Sequence, residues 1–411
     1  MDGPLIALDV SKGSSHVQGF KSLNEPFGKT LKVKHSREGL GEVIRLAEKL
    51  GRETGEIPSA ILESTGVYSE CVVRFLQERR LRVYVISPLV SAKERKSEVR
   101  PTKTDGIDPF TIARVYYNGE RKKNGKPKYR LSPEPIRGSW RDSLRECSAA
   151  YESESANLTS LKNQMHRYAD LIWPGLCDGI GVRDPFGSVP MAVIRRLGHP
   201  EIAAKRSVKQ LAKTIATFSA ASPEKSREKA EMLKEYARKA VSGASPSSPS
   251  VEELKYKAGE VLAKAKRLRE IEKSMRAILA STHEYDNVLE MPCMQGVLGL
   301  RIVAEIGDWR RFPSDKELVA YAGLDPMVSE SGRDDGQHKP ITKKGNKRLR
   351  HLLYLAVKVT SANDPAGPIA ECLRKKKGNG LSDKAAAVAA SNKLLRIILS
   401  MLRSGAAFRH Q

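Results

Sequence analysis

The chain has 411 residues and carries 72 Lys+Arg against 48 Asp+Glu, a formal net charge of +24 at pH 7 and a sequence pI near 9.8. Its length predicts two or three domains, and 40% apolar residues are enough to bury cores, which excludes a disordered polycation. The segment from Ser331 to Gln411 holds 17 Lys/Arg against 5 Asp/Glu, so the expected partner is a polyanion, nucleic acid first.

Other classes are disfavoured. No apolar run reaches the roughly 20 residues of a membrane span, and Met1-Asp-Gly-Pro-Leu-Ile-Ala-Leu-Asp9 has no basic segment followed by a long apolar one, so neither a membrane protein nor a signal peptide is expected. Cys71, Cys147, Cys177, Cys293 and Cys372 are far apart and odd in number. They predict no disulfide framework and no zinc ribbon, but reduced, mostly core thiols in a cytoplasmic protein.

In chain order, residues 1–120 read as α/β. Leu5–Val10 is a short apolar run with Asp9 inside it, and 15–20 and 30–34 alternate as strands do. A helix is expected from Ser36 to Leu50, with Leu40, Val43, Leu46 and Leu50 on one face. A buried strand follows at 58–63, then a helix at 66–78, a strand at 81–86 and a new segment at Pro88. Antiparallel strands followed by β-α-β is the order of an RNase H-like sheet, an analogy at the level of fold. Residues 121–130 hold six basic residues in ten, including Arg121, Lys122 and Lys123, as in an arm that touches phosphates.

Residues 131–285 read as helical. Leu144, Tyr151, Leu158 and Leu161 lie near heptad spacing in a helix over 137–170, and a second long helix is expected over 251–281. They suggest an antiparallel or dimeric coiled coil. Between them come short helices over 191–219 and a Ser/Pro-rich hinge at 242–250. Residues 286–411 read as a compact basic helical domain. In it, 291–308 suggests a helical hairpin whose turn can meet a DNA backbone, and Lys343, Lys344, Lys347, Arg348 and Arg350 lead into an amphipathic helix over 349–360.

The chemistry-bearing residues are acidic. Asp9 lies in the first strand, Glu63 ends a later one, and Asp105 and Asp108 are spaced to share a helix face. Charges at the ends of buried strands are costly unless paired or bound to a cation. Converging carboxylates would hold divalent metal, Mg²⁺ or Mn²⁺, for phosphoryl transfer. Ser331, before Gly332, needs a base, a metal or a positive field to act as a nucleophile.

These residues resemble the IS110 family of insertion-sequence transposases. The resemblance lies in Ala7-Leu-Asp9-Val-Ser-Lys12, Leu62-Glu63-Ser-Thr-Gly-Val-Tyr68 and Lys103-Thr-Asp105-Gly-Ile-Asp108. Towards the other end it lies in Ala304-Glu-Ile-Gly-Asp308, Tyr321-Ala-Gly-Leu-Asp-Pro326, Ser331-Gly332 and Lys344-Gly-Asn346-Lys-Arg-Leu-Arg350. It implies a RuvC-like, RNase H-fold catalytic domain (1–130), a helical coiled-coil linker (131–285) and a helical transposase domain (286–411). Asp9, Glu63, Asp105 and Asp108 match the metal-binding acids, and Ser331 matches a nucleophile that becomes covalently joined to DNA. The implied partners are donor and target DNA, a structured guide RNA encoded by the element, and further copies of the chain in a dimer or tetramer. The competing enzymatic reading is a RuvC-like Holliday-junction nuclease that uses metal-activated water. The hairpin departs from the family's Pro-Gly-Ile-Gly, reading Pro292-Cys-Met-Gln-Gly296, and Asp334 and Asp335 make the serine loop unusually acidic.

Overall fold

The computed structural model describes the chain apart from residues 1–2, 96–107, 120–121, 124–125, 128, 130, 132, 135–137, 218–221, 327–340 and 407–411; for residues 108, 122, 123, 126 and 127 it describes the backbone alone. The chain forms two compact units, Met1–Ser139 and Trp140–Gln411.

The first unit is built on a mixed sheet of β1 (Leu5–Ser11), β2 (Ser14–Ser22), β3 (Glu25–Lys34), β4 (Ser59–Glu63) and β5 (Val83–Ile86), in the order β3-β2-β1-β4-β5. Two-residue turns close both hairpins, and each supplies the left-handed residue that such turns need, Gly13 (φ 78°) and Asn24 (φ 64°). β4 and β5 then join parallel to β1 through α1 (Arg37–Thr54) and α2 (Val67–Glu78). This is the hairpin-then-β-α-β order expected from the sequence.

Ser36 caps α1, its Oγ accepting from Gly39 N at 3.1 Å. Leu40, Val43 and Leu50 pack with Ile6, Leu8 and Val10 on one face of the sheet. Leu5, Ala7, Ile61 and Tyr84 point to the other face, which is covered by Ile112 and Tyr116. Those two belong to α4 (Asp108–Asn118), which follows α3 (Pro88–Arg95). Burial on both faces explains why Leu5–Leu8 is an unbroken apolar run. The basic arm contributes a short ribbon, β6 (Lys122–Lys123) against β7 (Lys126–Pro127).

Among the described residues the second unit is helical, apart from one isolated β-bridge. α5 (Trp140–Ile172) is followed by α6 (Leu176–Gly179), α7 (Ser188–Leu197), α8 (Pro200–Lys205), α9 (Val208–Ala216), α10 (Pro223–Lys239) and α11 (Pro249–Ala280). Beyond these come α12 (Asp286–Leu289), α13 (Gly296–Ile306), α14 (Asp315–Ala322), α15 (Lys347–Asn363), α16 (Pro368–Gly378) and α17 (Asp383–Ser404).

α5 and α11 run antiparallel within the one chain: Lys257 Nζ meets Gln164 Oε1 at 2.9 Å, and Lys264 Nζ meets Glu154 Oε2 at 2.7 Å. The pair shares two cores. Leu161, Met165 and Val261 pack with α7, α9 and α10, while Leu144, Met275 and Leu279 pack with α13, α15 and α17. Residues on both sides of 285, from Leu279 to Met291, share the second of these cores.

Three local expectations are corrected. The Ser/Pro stretch is held in place: Gly243 N donates to Leu171 O at 2.8 Å, Ala244 O is bonded to His199 Nε2 at 2.9 Å, and Ser248 caps α11. α17 is long and apolar enough to cross a bilayer, contrary to the reading of the sequence. Ala390, Leu394, Leu395 and Ile398 bury one face of it in the core, as a core helix requires. Of the cysteines only Cys293 is fully buried, and Cys71 is exposed.

Candidate active site

Asp9 and Glu63 come together at the C-terminal ends of neighbouring parallel strands. Leu8 of β1 is in register with Leu62 of β4, and the two acids are the next residue of each strand. Strand alternation puts them on the same face as Ala7's and Ile61's layer, the face that α4 covers. Both are half-buried. Asp108 opens α4 over this face, so three of the four expected acids belong to elements of one face. Asp105 lies outside the described residues, and of Asp108 only the backbone is described.

The surroundings add residues that the sequence reading passed over. Ser91 of α3, 1% exposed, donates its hydroxyl to Glu63 Oε2. His16 stands directly across from Asp9 in the antiparallel register of β1 and β2, so by parity it shares the acid face. That parity was readable once the hairpin was placed; Ser91 carried no signal in the sequence.

Beneath them Glu94, 4% exposed, accepts from Asn118 Nδ2 at 2.9 Å and from the Tyr129 hydroxyl. Burial, and then the Glu94 carboxylate, push the Tyr129 phenol well above its ordinary pKa. The basic arm is thereby fastened to the α3–α4 layer through Tyr129. Arg121 lies outside the described residues, and the side chains of Lys122 and Lys123 are not described.

Side-by-side carboxylates offer hard oxygen donors of the kind that Mg²⁺ or Mn²⁺ takes. Among the described residues no group of three or more His, Cys, Asp or Glu is gathered closely enough to hold a metal. The described residues thus supply part of a donor set.

Ser331 also lies outside the described residues, but the segments on either side of its loop are fixed. Pro326 and Ile341 form a β-bridge, Thr342 N donates to Asp325 O at 2.9 Å, and Asn346 N donates to Tyr321 O at 2.7 Å. Under this neck lies a buried carboxylate. Glu305 of α13, 2% exposed, accepts from Asn346 Nδ2 at 2.7 Å and from Ser148 Oγ at 3.3 Å. The Tyr321 hydroxyl accepts from Arg145 Nη2 at 2.8 Å and donates to Glu305 O at 3.2 Å. The sequence motifs contain Glu305, Tyr321 and Asn346, but nothing in their spacing shows that they interlock.

The five basic residues of this region divide. Lys343, Lys344 and Lys347 are exposed and, among the described residues, have no acidic partner within 4.0 Å. Arg348 Nε pairs with Glu152 Oε2 at 2.8 Å at the surface, and Arg350 Nη1 donates to Ala322 O at 2.8 Å, so both guanidinium groups already have partners within the fold. In the expected hairpin, the short α12 and α13 flank a turn that ends at Gln295.

Two family models match this chain. A DEDD transposase model of the IS110 type matches residues 6–174, and the model of the IS116/IS110/IS902 transposase family matches residues 285–368; together they span more than half of the chain. The chain belongs to the IS110 family of insertion-sequence transposases. It is 31% identical over 147 residues to an uncharacterized 44.8 kDa protein of insertion element IS116 from Streptomyces clavuligerus, which is 36% of each chain. It is 30% identical over 122 residues to an uncharacterized 42 kDa protein of insertion element IS900 from Mycobacterium paratuberculosis, 29% of this chain and 30% of that one. A pilin gene-inverting protein of Moraxella bovis is 32% identical over 108 residues, 26% of this chain and 33% of its own length. The chain therefore spans about a third of the length of the curated relatives it matches.

Proposed function

We propose that this protein is a DNA transposase or recombinase that cuts and rejoins strands through a covalent serine–DNA intermediate, guided by an RNA encoded by its element. The observation that carries the reading is the pairing of Asp9 with Glu63 at adjacent strand ends, on the face that α4 covers from Asp108 onward. Membership in a transposase family and likeness to a gene-inverting protein support it.

In this reading Asp9, Glu63, Asp105 and Asp108 hold Mg²⁺ or Mn²⁺ in a RuvC-like domain. Bound there, a divalent cation would stabilise the charge that develops on a departing oxygen. Ser331 Oγ attacks the scissile phosphorus, the P–O3′ bond breaks, and the serine proton ends on the departing 3′ oxygen. The 5′ phosphate stays on the serine. Attack by another 3′ hydroxyl reverses the step and joins a new strand; one ester replaces another, so no ATP is required. Lys343, Lys344 and Lys347 hold phosphates beside the serine loop, and the basic residues of 121–130 hold phosphates as well. The active form is a dimer or tetramer in which the acids of one subunit serve the serine of another.

The test is recombination of a plasmid carrying the element's ends and a target, with the co-purifying RNA retained. Asp9→Asn and Glu63→Gln are each expected to lose roughly 100-fold or more of strand cleavage, and chelation of divalent ions is expected to abolish it. Undiminished cleavage in both variants would overturn the role of the acids. Sequencing the co-purified nucleic acid tests the guide: one discrete species encoded beside the gene is expected, and random fragments alone would contradict it.

A further inference from the structure

Residues 188–217 of the second unit hold six Lys/Arg against a single acid, Glu201, and the function proposed above uses none of them. α9 explains part of the pattern. Leu211 and Ile215 bury one stripe of it in the core, while Gln210, Lys213, Thr214 and Thr217 form a second stripe at i, i+3, i+4 and i+7. Facing this stripe are Arg196, in the last turn of α7, and Arg206, just after α8. Together they line a groove of about 410 Å³ with, among the described residues, no acid in its wall.

Several cations elsewhere in this unit are paired along their own helices. Arg227 pairs with Glu231, Lys239 with Glu235 and Arg276 with Glu272. Arg206 and Lys213 are exposed and, among the described residues, have no carboxylate within 4.0 Å. Converging like charges without an anion between them repel one another. The neutral groups are committed in a way that suits the uncharged parts of a nucleotide. Gln210 Oε1 accepts from Ser207 N at 3.0 Å, which leaves the amide NH₂ as the end available to a ligand. Thr214 and Thr217 donate to backbone carbonyls at 3.1 and 2.8 Å, which leaves their oxygens as acceptors for a sugar hydroxyl or a base N–H.

We infer that this groove is a phosphodiester-binding site that holds a nucleic-acid strand away from the reacting phosphates. Arg196, Arg206 and Lys213 take the backbone phosphates, and Gln210 and the two threonines take the neutral edge of the nucleotide. The inference rests on the nucleic-acid reading above.

The full-length protein, stripped of nucleic acid, is titrated with single-stranded RNA, single-stranded DNA and duplex DNA of 30 nucleotides, and fluorescence anisotropy is followed across a salt series. Arg206→Glu with Lys213→Glu is compared with Lys29→Glu with Lys49→Glu, an equal charge change at exposed lysines of the first unit. The groove pair is expected to weaken at least one probe about tenfold or more and to lower its log–log salt slope by roughly 1.4–1.8, the value for two phosphate contacts. The control pair is expected to change affinity less than threefold. The probe that loses affinity identifies the strand. Equal losses in both pairs, or no loss in the groove pair, would overturn the site while leaving the recombinase reading intact; an unmodified protein that binds none of the probes would overturn both.

Discussion

Asn346 Nδ2 donates to Glu305 Oε2 at 2.7 Å, while Asn346 Oδ1 accepts from Leu349 N at 3.0 Å. One side chain thus caps α15 and satisfies one oxygen of a buried carboxylate in α13, directly below the neck of the serine loop. Asn346→Ala removes the cap and one of the two side-chain donors to that carboxylate. The expected cost is about 2–4 kcal/mol, a cap plus a hydrogen bond to a charged group. Denaturant unfolding reads it, and a change under about 0.5 kcal/mol would contradict the arrangement.

Gly323 and Gly345 allow the two limbs of the neck to touch. Gly323 has φ 66°, and a Cβ on Gly345 would fall inside contact distance of the Tyr321 carbonyl and the Gly323 amide. Gly345→Ala is therefore expected to destabilise the second unit by about 1–3 kcal/mol through overpacking. Gly378→Ala, which opens onto empty space in α16, is expected to be neutral or slightly stabilising. Thermal melts of the two variants make the comparison; equal melting points would remove the case for close approach.

Ser91 acts on the acids through Glu63. Ser91→Ala is expected to leave the fold in place and to raise the divalent-ion concentration needed for cleavage by roughly 10–100-fold, as loss of a group orienting a metal ligand does. Titrating Mg²⁺ in the cleavage assay measures it. An unchanged ion requirement would make the Ser91–Glu63 bond merely structural.

His35 lies 2.8 Å from Ser15 Oγ through Nε2, and burial lowers its pKa from 6.5. A depressed folded-state pKa means that the unfolded chain binds the proton more tightly. Its contribution to stability is complete above pH 6.5 and falls as the pH drops from there through the folded-state value. NMR titration of the imidazole is expected to show a midpoint below 6.5, and His35→Gln is expected to flatten the acid limb of the first unit's stability profile. A midpoint at or above 6.5 would contradict this.

Much of the first unit was legible because its strands are short, either continuous apolar runs as at Leu5–Val10 or alternating as at 15–20 and 30–34, and because Ser36 marks the first helix. The apolar runs put Asp9 and Glu63 at strand ends; that they are neighbours depends on the parallel register of β1 with β4, which no local pattern reveals. α10 went unseen because its buried stripe is made of small residues, Ser226, Ala230 and Ala237, with Leu233. The Ser/Pro stretch looked loose because composition does not register the carbonyl and amide bonds that tether Gly243 and Ala244. The basic run at 343–350 read as uniform, yet Arg348 is paired with Glu152 at the surface and Arg350 is tied to the Ala322 carbonyl, partners distant in sequence.

The central claim is covalent serine chemistry, and the most direct measurement is of the adduct itself. The RNA-bound protein is incubated with end-labelled DNA and Mg²⁺, denatured, and its DNA-linked peptide identified by mass spectrometry. A 5′-phosphoserine is expected at Ser331, absent from Ser331→Ala while that variant still binds DNA. A Ser331→Ala protein that cuts as well as the unmodified chain and releases free 5′-phosphate ends would contradict it and establish hydrolysis by water instead.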